Sequence, residues 1–293
     1  MKATVVTPNL VILAGGVSSR MKKSMVAANT SDSALLRNAA RASKAMIPVG
    51  EHGRPFLDYL LSNVEQAGYK NVVIVVGERD DSIREHYEKD KDRRQFQSLN
   101  LSFAVQKIPN DRQKPLGTAD ALLEALRVKG EWKGQKFTVC NSDNLYSVRA
   151  LKILLDDPHE NAMIDYDRSG LKFDQQRISE FAVIKKDVDG FLETIIEKPS
   201  QEEVALVRDG MGRTGVSMNI FRLSYDKIYP VLESIPLHPV RLEKELPAAV
   251  RTMIEQFPKS VFAIPLSEHV PDLTTHSDIL EVKTNLQAEF QNR

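Results

Sequence analysis

The hydrophobic positions of this chain alternate between short unbroken runs and helical stripes through its first half. Val11, Ile12 and Leu13 form an apolar run that ends in two glycines. Phe56, Leu57, Leu60, Leu61 and Val64 then recur at helical spacing, with Gly68 placed to end that helix. The run Asn71–Gly77 is apolar on both faces and belongs in the middle of a parallel sheet covered by helices. A helix is expected over 82–90 behind Asp80 or Asp81, followed by a charged surface connection through Arg93 and Arg94. Leu101, Phe103 and Val105 alternate as in a strand, and Ala119, Leu122, Leu123 and Leu126 return to helical spacing. Residues 137–140 read as a further buried strand. From about residue 150 strands predominate, at 162–164, 180–184, 191–196, 215–223 and 261–264, and Pro247 is placed to begin a helix. The alternation predicts an α/β fold. With no Pro/Gly/Ser-rich linker, internal repeat or low-complexity tract, residues 1–293 are expected to form one domain with two lobes.

Composition narrows the possible functions. The 293 residues are 42% hydrophobic, ordinary for a globular chain able to bury a large core. Lysine plus arginine equals aspartate plus glutamate at 40 each, so no global field draws the chain to nucleic acid or an anionic membrane. A local basic pocket for phosphates stays open. Cys140 is the single cysteine, which excludes an internal disulfide and a cysteine-built zinc site. The N-terminal stretch, broken by Pro8 and Asn9, reads as neither signal peptide nor membrane span, and the expected location is cytoplasmic.

Candidate chemistry concentrates where apolar runs stop. In LAGGVSSRM, 13–21, the glycines allow a sharp turn and close approach to a ligand, and the following N–H groups with Arg20 can face an anion. The same string also fits a plain small-residue turn. Lys22 and Lys23 read as surface lysines, and Ser31 or Ser33 can cap a short helix through Leu35 and Ala42. Asp143 sits where the strand 137–140 ends, the edge at which open α/β sheets gather ligands and metals; it also fits a cap for the helix begun at 147–150. Gln106 emerges at a strand end, either as a ligand or as a polar residue entering a loop. Glu197 and Lys198 precede a proline, and Glu243 and Glu245 stand at a helix entry.

Taken in order, LAGGVSSRM, Lys44 in KAMIPVG, PLGTADAL at 115–122, NSDN at 141–144, IIEKP at 195–199 and PDLTTHSDI at 271–279 resemble the sugar-1-phosphate nucleotidyltransferases, the nucleotide-sugar pyrophosphorylases. The resemblance runs from about residue 9 to about residue 285. It implies a Rossmann-like nucleotidyltransferase fold of the GT-A-like kind: a mixed, mostly parallel central sheet, a nucleotide-binding half over 9–150 and a sugar-binding lobe over 151–293. It implies transfer of a nucleotidyl group, from UTP or dTTP, to a sugar-1-phosphate with release of pyrophosphate. By the same resemblance Leu13, Ala14, Gly15, Gly16, Arg20, Gln106, Gly117 and Thr118 bind the nucleotide, and Arg20, Lys44 and Asp143 are catalytic. Glu197 and Lys198 meet the sugar phosphate, while Asp143 and Asp272 hold Mg2+. The partners are the two substrates, with no nucleic acid and no membrane, and a homo-oligomer is left open. The chain departs from the pattern in three places: an insertion between Met21 and Lys44, Gly215 and Ser217 where relatives carry asparagine and glycine, and Thr274 and His276 where they carry glycine and proline. Two rivals are a molybdopterin-type nucleotidyltransferase, which shares the first loop, and a noncatalytic paralogue that senses a nucleotide sugar.

Overall fold

The computed structural model describes residues 7–16, 43–88 and 96–290. In chain order the elements are β1 (Asn9–Leu13), α1 (Phe56–Gln66), β2 (Asn71–Gly77), α2 (Ser82–Glu88), β3 (Asn100–Gln106), α3 (Thr118–Val128), β4 (Lys136–Asn141), α4 (Val148–Asp156) and β5 (Asn161–Asp167). There follow α5 (Gln175–Ser179), β6 (Val183–Lys186), β7 (Leu192–Ile196), α6 (Gln201–Leu206), β8 (Gly215–Val216), β9 (Phe221–Ser224), α7 (Tyr225–Ser234), α8 (Leu246–Gln256), β10 (Val261–Leu266) and α9 (Asp278–Phe290). Arg20, Lys22, Lys23, the cap expected at Ser31 or Ser33 and the connection through Arg93 lie outside the described residues.

Burial follows the side-chain period of the strands. Leu10, Ile12, Val72 and Ile74 pack on one face of the sheet with Leu57 and Leu60 of α1 and Leu151 and Leu154 of α4. Val11, Leu13, Val73 and Val75 pack on the other with Leu122 and Leu126 of α3 and Val250 and Met253 of α8. Each such side chain contributes roughly 1.5–3 kcal/mol when fully buried, which is why β1 and β2 read as unbroken apolar runs. Gly68, at φ +97, ends α1 as its position predicts, and Pro247 lies in the first turn of α8.

Among the described residues the strands form one ten-stranded sheet in the order β3-β2-β1-β4-β9-β5-β8-β6-β7, with β10 beside β5. The ladders of β1 with β2 and β4, of β2 with β3, and of β5 with β10 are parallel. The remaining pairs are antiparallel, so the sheet is mixed as expected and continuous across both halves. After β1 the chain builds β2 and β3 on one side and then returns to place β4 on the other. That reversal opens a crevice between the carboxyl ends of β1 and β4, the usual ligand position in open α/β sheets.

Three local expectations are corrected. Asp143 does not cap α4: Ser147 does, its hydroxyl accepting from Ala150 N–H at 3.0 Å. The strand expected at 180–184 begins only at Val183, because Asp174 accepts from Arg177 N–H at 2.8 Å and starts the turn of α5 just before it. The strand expected over 215–223 is two strands. β8 pairs with β5 and β6 while β9 runs between β4 and β5, and the chain changes neighbours through Asn219, left-handed at φ +54. Asparagine tolerates that conformation better than most residues, so the position a glycine would serve is Asn219 rather than Ser217.

Candidate active site

The loop after β1 is built from the sheet outward. Ala14 N–H continues the ladder to Val75 O at 2.9 Å, and Ser142 N–H donates to Leu13 O at 3.1 Å, so the loop leaves the sheet at the β1 and β4 crevice. Leu13 and Ala14 are buried, and Gly16 is exposed with open space where a side chain would stand. A Cβ on Gly15 would lie 2.9 Å from Gln106 Oε1, so only glycine lets the glutamine amide lie against this loop.

Lys44 reaches the same crevice through a short 3-10 turn, Lys44–Met46. Ser43 caps the turn by accepting from Ala45 N–H at 3.3 Å and donates to Ala14 O at 3.4 Å. The Lys44 ammonium lies 2.9 Å from Asp143 Oδ2. The segment carrying Asp143 is joined in turn to that carrying Asp272 by an antiparallel bridge. Leu273 N–H donates to Asp143 O at 2.7 Å, Leu145 N–H donates to Pro271 O at 2.8 Å, and Asn144 faces Asp272.

Asp272 is the more confined of the two carboxylates, and burial followed by the neighbouring charge of Asp143 raises its pKa. Arg177 opposes that rise from α5, with Nη2 3.0 Å from Asp272 Oδ2, and Thr274 Oγ1 donates to Asp272 Oδ1 at 2.7 Å. The turn beyond Asp272 holds its shape without the glycine and proline of the resembled motif. Asp278 Oδ2 accepts from Thr274 N–H at 2.8 Å and Thr275 N–H at 2.6 Å.

Gln106 is 2% exposed, and its Nε2 donates at 2.8 Å both to Gly117 O and to Asp120 Oδ2. Both partners are pure acceptors, which fixes the amide orientation and leaves Oε1 on the Gly15 side. Gly117, at φ +106, precedes α3 where an added Cβ would sit 2.5 Å from Lys244 O. Ala119 N–H donates to Lys244 O and Leu246 N–H to Thr118 Oγ1, each at 2.9 Å, so the segment entering α8 closes over the start of α3.

The two sugar-side candidates lie apart from the ion pair of Lys44. Glu197 pairs with Arg241, which also meets Glu245 at 2.8 Å. Glu245 directly precedes Leu246, so Glu197 connects through this network to the start of α3. Lys198, left-handed at φ +48 and largely exposed, lies 3.6 Å from Glu180.

Among the described residues no group of three or more His, Cys, Asp and Glu gathers as a metal cage. Asp143 and Asp272 nevertheless suit Mg2+, which is commonly held by one or two carboxylates with substrate phosphates and water. Burial is the main cause of the raised pKa of Asp272 and the charge of Asp143 the second, and a divalent ion held by both carboxylates would relieve that second part. Sequence reasoning missed Arg177, Asp120 and Arg241. The acidic first turn of α3 was the only available signal for Asp120; arginines in polar stretches carry none.

The nucleotidyl transferase family model matches residues 39–288, and the chain belongs to that family. The bifunctional protein GlmU of Geotalea uraniireducens (strain Rf4) is 28% identical over 189 residues, 64% of this chain and 33% of that protein. The D-glycero-alpha-D-manno-heptose 1-phosphate guanylyltransferase of Campylobacter jejuni subsp. jejuni serotype O:2 is 26% identical over 165 residues, 55% of this chain and 60% of that protein. The chain thus spans less than two thirds of either relative. The crystal structure of UDP-glucose pyrophosphorylase complexed with UDP-glucose superposes with a TM-score of 0.69 at 19% identity, covering 97% of this chain and 99% of that one. At that identity the likeness establishes the nucleotidyltransferase fold alone.

Proposed function

We propose that this chain transfers a nucleotidyl group from a nucleoside triphosphate to a sugar-1-phosphate, giving a nucleotide sugar and pyrophosphate. The observation that carries this reading is the meeting of the loop 13–16, Lys44, Asp143 and Asp272 at one sheet crevice, in a chain of the nucleotidyl transferase family. An oxygen of the sugar phosphate attacks the α-phosphorus. The bond from that phosphorus to the oxygen bridging to the β-phosphorus breaks, and pyrophosphate leaves with the bonding electrons. Such a transfer rests on positioning and charge neutralisation rather than on a covalent nucleophile. Lys44 neutralises charge growing on the leaving group, and Arg20, of the sequence motif 13–21, is assigned to that task with it. Asp143 and Asp272 would hold Mg2+, which supplies further neutralisation of the phosphates. Glu197 and Lys198 orient the sugar phosphate.

The base is a pyrimidine, uracil or thymine. Gln106 has its amide protons committed, so Oε1 is the edge it offers; an acceptor there suits the N3–H of uracil and thymine and opposes the N3 acceptor of cytosine, while the N1–H of guanine would meet it equally well, so the choice of uracil or thymine rests on the family resemblance. The test is pyrophosphate release with ATP, GTP, CTP, UTP and dTTP against a panel of sugar-1-phosphates in Mg2+. The expected outcome is turnover favouring UTP or dTTP. Preference for a purine overturns the base, and tight nucleotide-sugar binding without turnover in any pairing overturns the reaction.

A further inference from the structure

Asp272 differs from an ordinary metal carboxylate in how fully the protein already occupies it. One oxygen accepts from Thr274 and the other faces Arg177, whose Nη2 also donates to Asp272 O at 3.2 Å. Arg177 is itself held in place. Its Nη1 donates to Asp278 Oδ1 at 2.5 Å, its Nη2 to Asp278 Oδ2 at 3.3 Å, and its guanidinium lies 4.5 Å over the ring of Phe173. Asp278 is 4% exposed and bonded to the backbone of the turn, so this clamp is built into the loop.

Across the bridge, Asp143 has its own cation in Lys44. Three carboxylates, Asp143, Asp272 and Asp278, thus face two protein cations, with Arg177 shared between Asp272 and Asp278. The two cations differ in freedom. A lysine ammonium on a flexible stem can turn from a carboxylate to a phosphate, whereas a planar guanidinium engaged by two aspartates, a carbonyl and a ring cannot leave without breaking them all. Arg177 therefore stays beside Asp272 when a metal arrives, and its charge opposes that of the metal.

We propose that Arg177 is a built-in counter-ion that stands in for the metal at Asp272, keeping the aspartate pair together in the metal-free protein and weakening its affinity for a divalent cation. The proposal rests on the reading of Asp143 and Asp272 as metal ligands. It differs from a purely structural role because removal of a structural clamp loosens the ligand and weakens metal binding, while removal of a competing cation strengthens it.

The experiment compares wild type, Arg177→Gln and Arg177→Lys by calorimetric titration with Mn2+ and by thermal unfolding in EDTA or Mn2+, without nucleotide. Arg177→Gln is expected to unfold at lower temperature than wild type in EDTA, to bind Mn2+ at least about threefold more tightly, and to gain more in unfolding temperature from Mn2+. Arg177→Lys, which keeps the charge, is expected to stay near wild type in Mn2+ affinity. If Arg177→Gln folds only with Mn2+, the proposal is supported. If it binds Mn2+ equally or more weakly, or stays unfolded with the ion, the proposal is overturned. Asp143→Asn separates the two levels: Mn2+ binding unchanged in that variant, or absent from wild type, removes the metal reading itself and this inference with it.

Discussion

At the scale of single residues, Gln106 illustrates how partners decide what a side chain can offer. Its amide protons face a carbonyl and a carboxylate, so Gln106→Glu would bring a carboxylate against two acceptors in a buried place. That variant is expected to lose at least about 2 kcal/mol of stability, measured by chemical denaturation, through unmade bonds and like charge. Wild-type stability would show that the amide is not held as described. Asp143 makes the complementary case, being an acceptor for Lys44 and, with Ser147 capping α4, having no capping duty there. Asp143→Asn should lower pyrophosphate release about 100-fold or more while leaving thermal unfolding nearly unchanged. Near-normal turnover with ordinary Mg2+ dependence would remove Asp143 from the site.

At the scale of elements, the start of α3 and the turn before Asp272 are each closed by another part of the chain. Gly117→Ala would place a side chain at φ +106 and against Lys244 O, costing roughly 1–3 kcal/mol in strain. Because the displaced segment borders Gln106, the KM for nucleotide should rise more than the KM for sugar phosphate; an equal rise would contradict that placement. Near α9, His269 accepts from Lys172 N–H at 3.2 Å, faces Glu281 at 3.7 Å and touches the ring of Phe173. Burial first, then the charges of Lys172 and Arg177, lower its pKa from 6.5 to about 4. The unfolded chain therefore takes up this proton more readily than the folded one. The contribution of His269 to stability is full above pH 6.5 and lost as the pH falls towards 4. Denaturation across that window should show a shallower pH dependence for His269→Gln than for wild type, and identical slopes would discard the assignment.

At the scale of the molecule, one sheet carries both halves, with Lys44 and Asp143 on the parallel side and Glu197 and Lys198 following β7 at the far edge. This separation predicts a division of labour between substrates. Lys198→Ala should raise the KM for sugar phosphate and leave that for nucleotide unchanged. Its exposed pairing with Glu180 should matter little to stability, since such pairs contribute about 0–1 kcal/mol. A rise confined to nucleotide would reverse the assignment of the halves.

The sequence by itself determined which segments become strands and helices in the first half, because burial between helices imposes one period on strands and another on helices. It also placed small residues, a lysine and carboxylates at the strand ends, the residue types on which the proposed phosphate and metal roles depend. The second half was less legible. Asp165, fully buried within β5 between Lys186 and Arg213, interrupts an otherwise apolar run, and the break at Asn219 reflects a change of neighbours that no local pattern encodes. Only the tertiary structure decided that Asp143 and Asp272 come near each other, because the bridge of Asn144 to Asp272 depends on where the last turn docks against the β1 and β4 crevice. It also decided that Arg177 shares Asp272, since an arginine in a short polar helix becomes a counter-ion only when packing delivers a buried carboxylate to it.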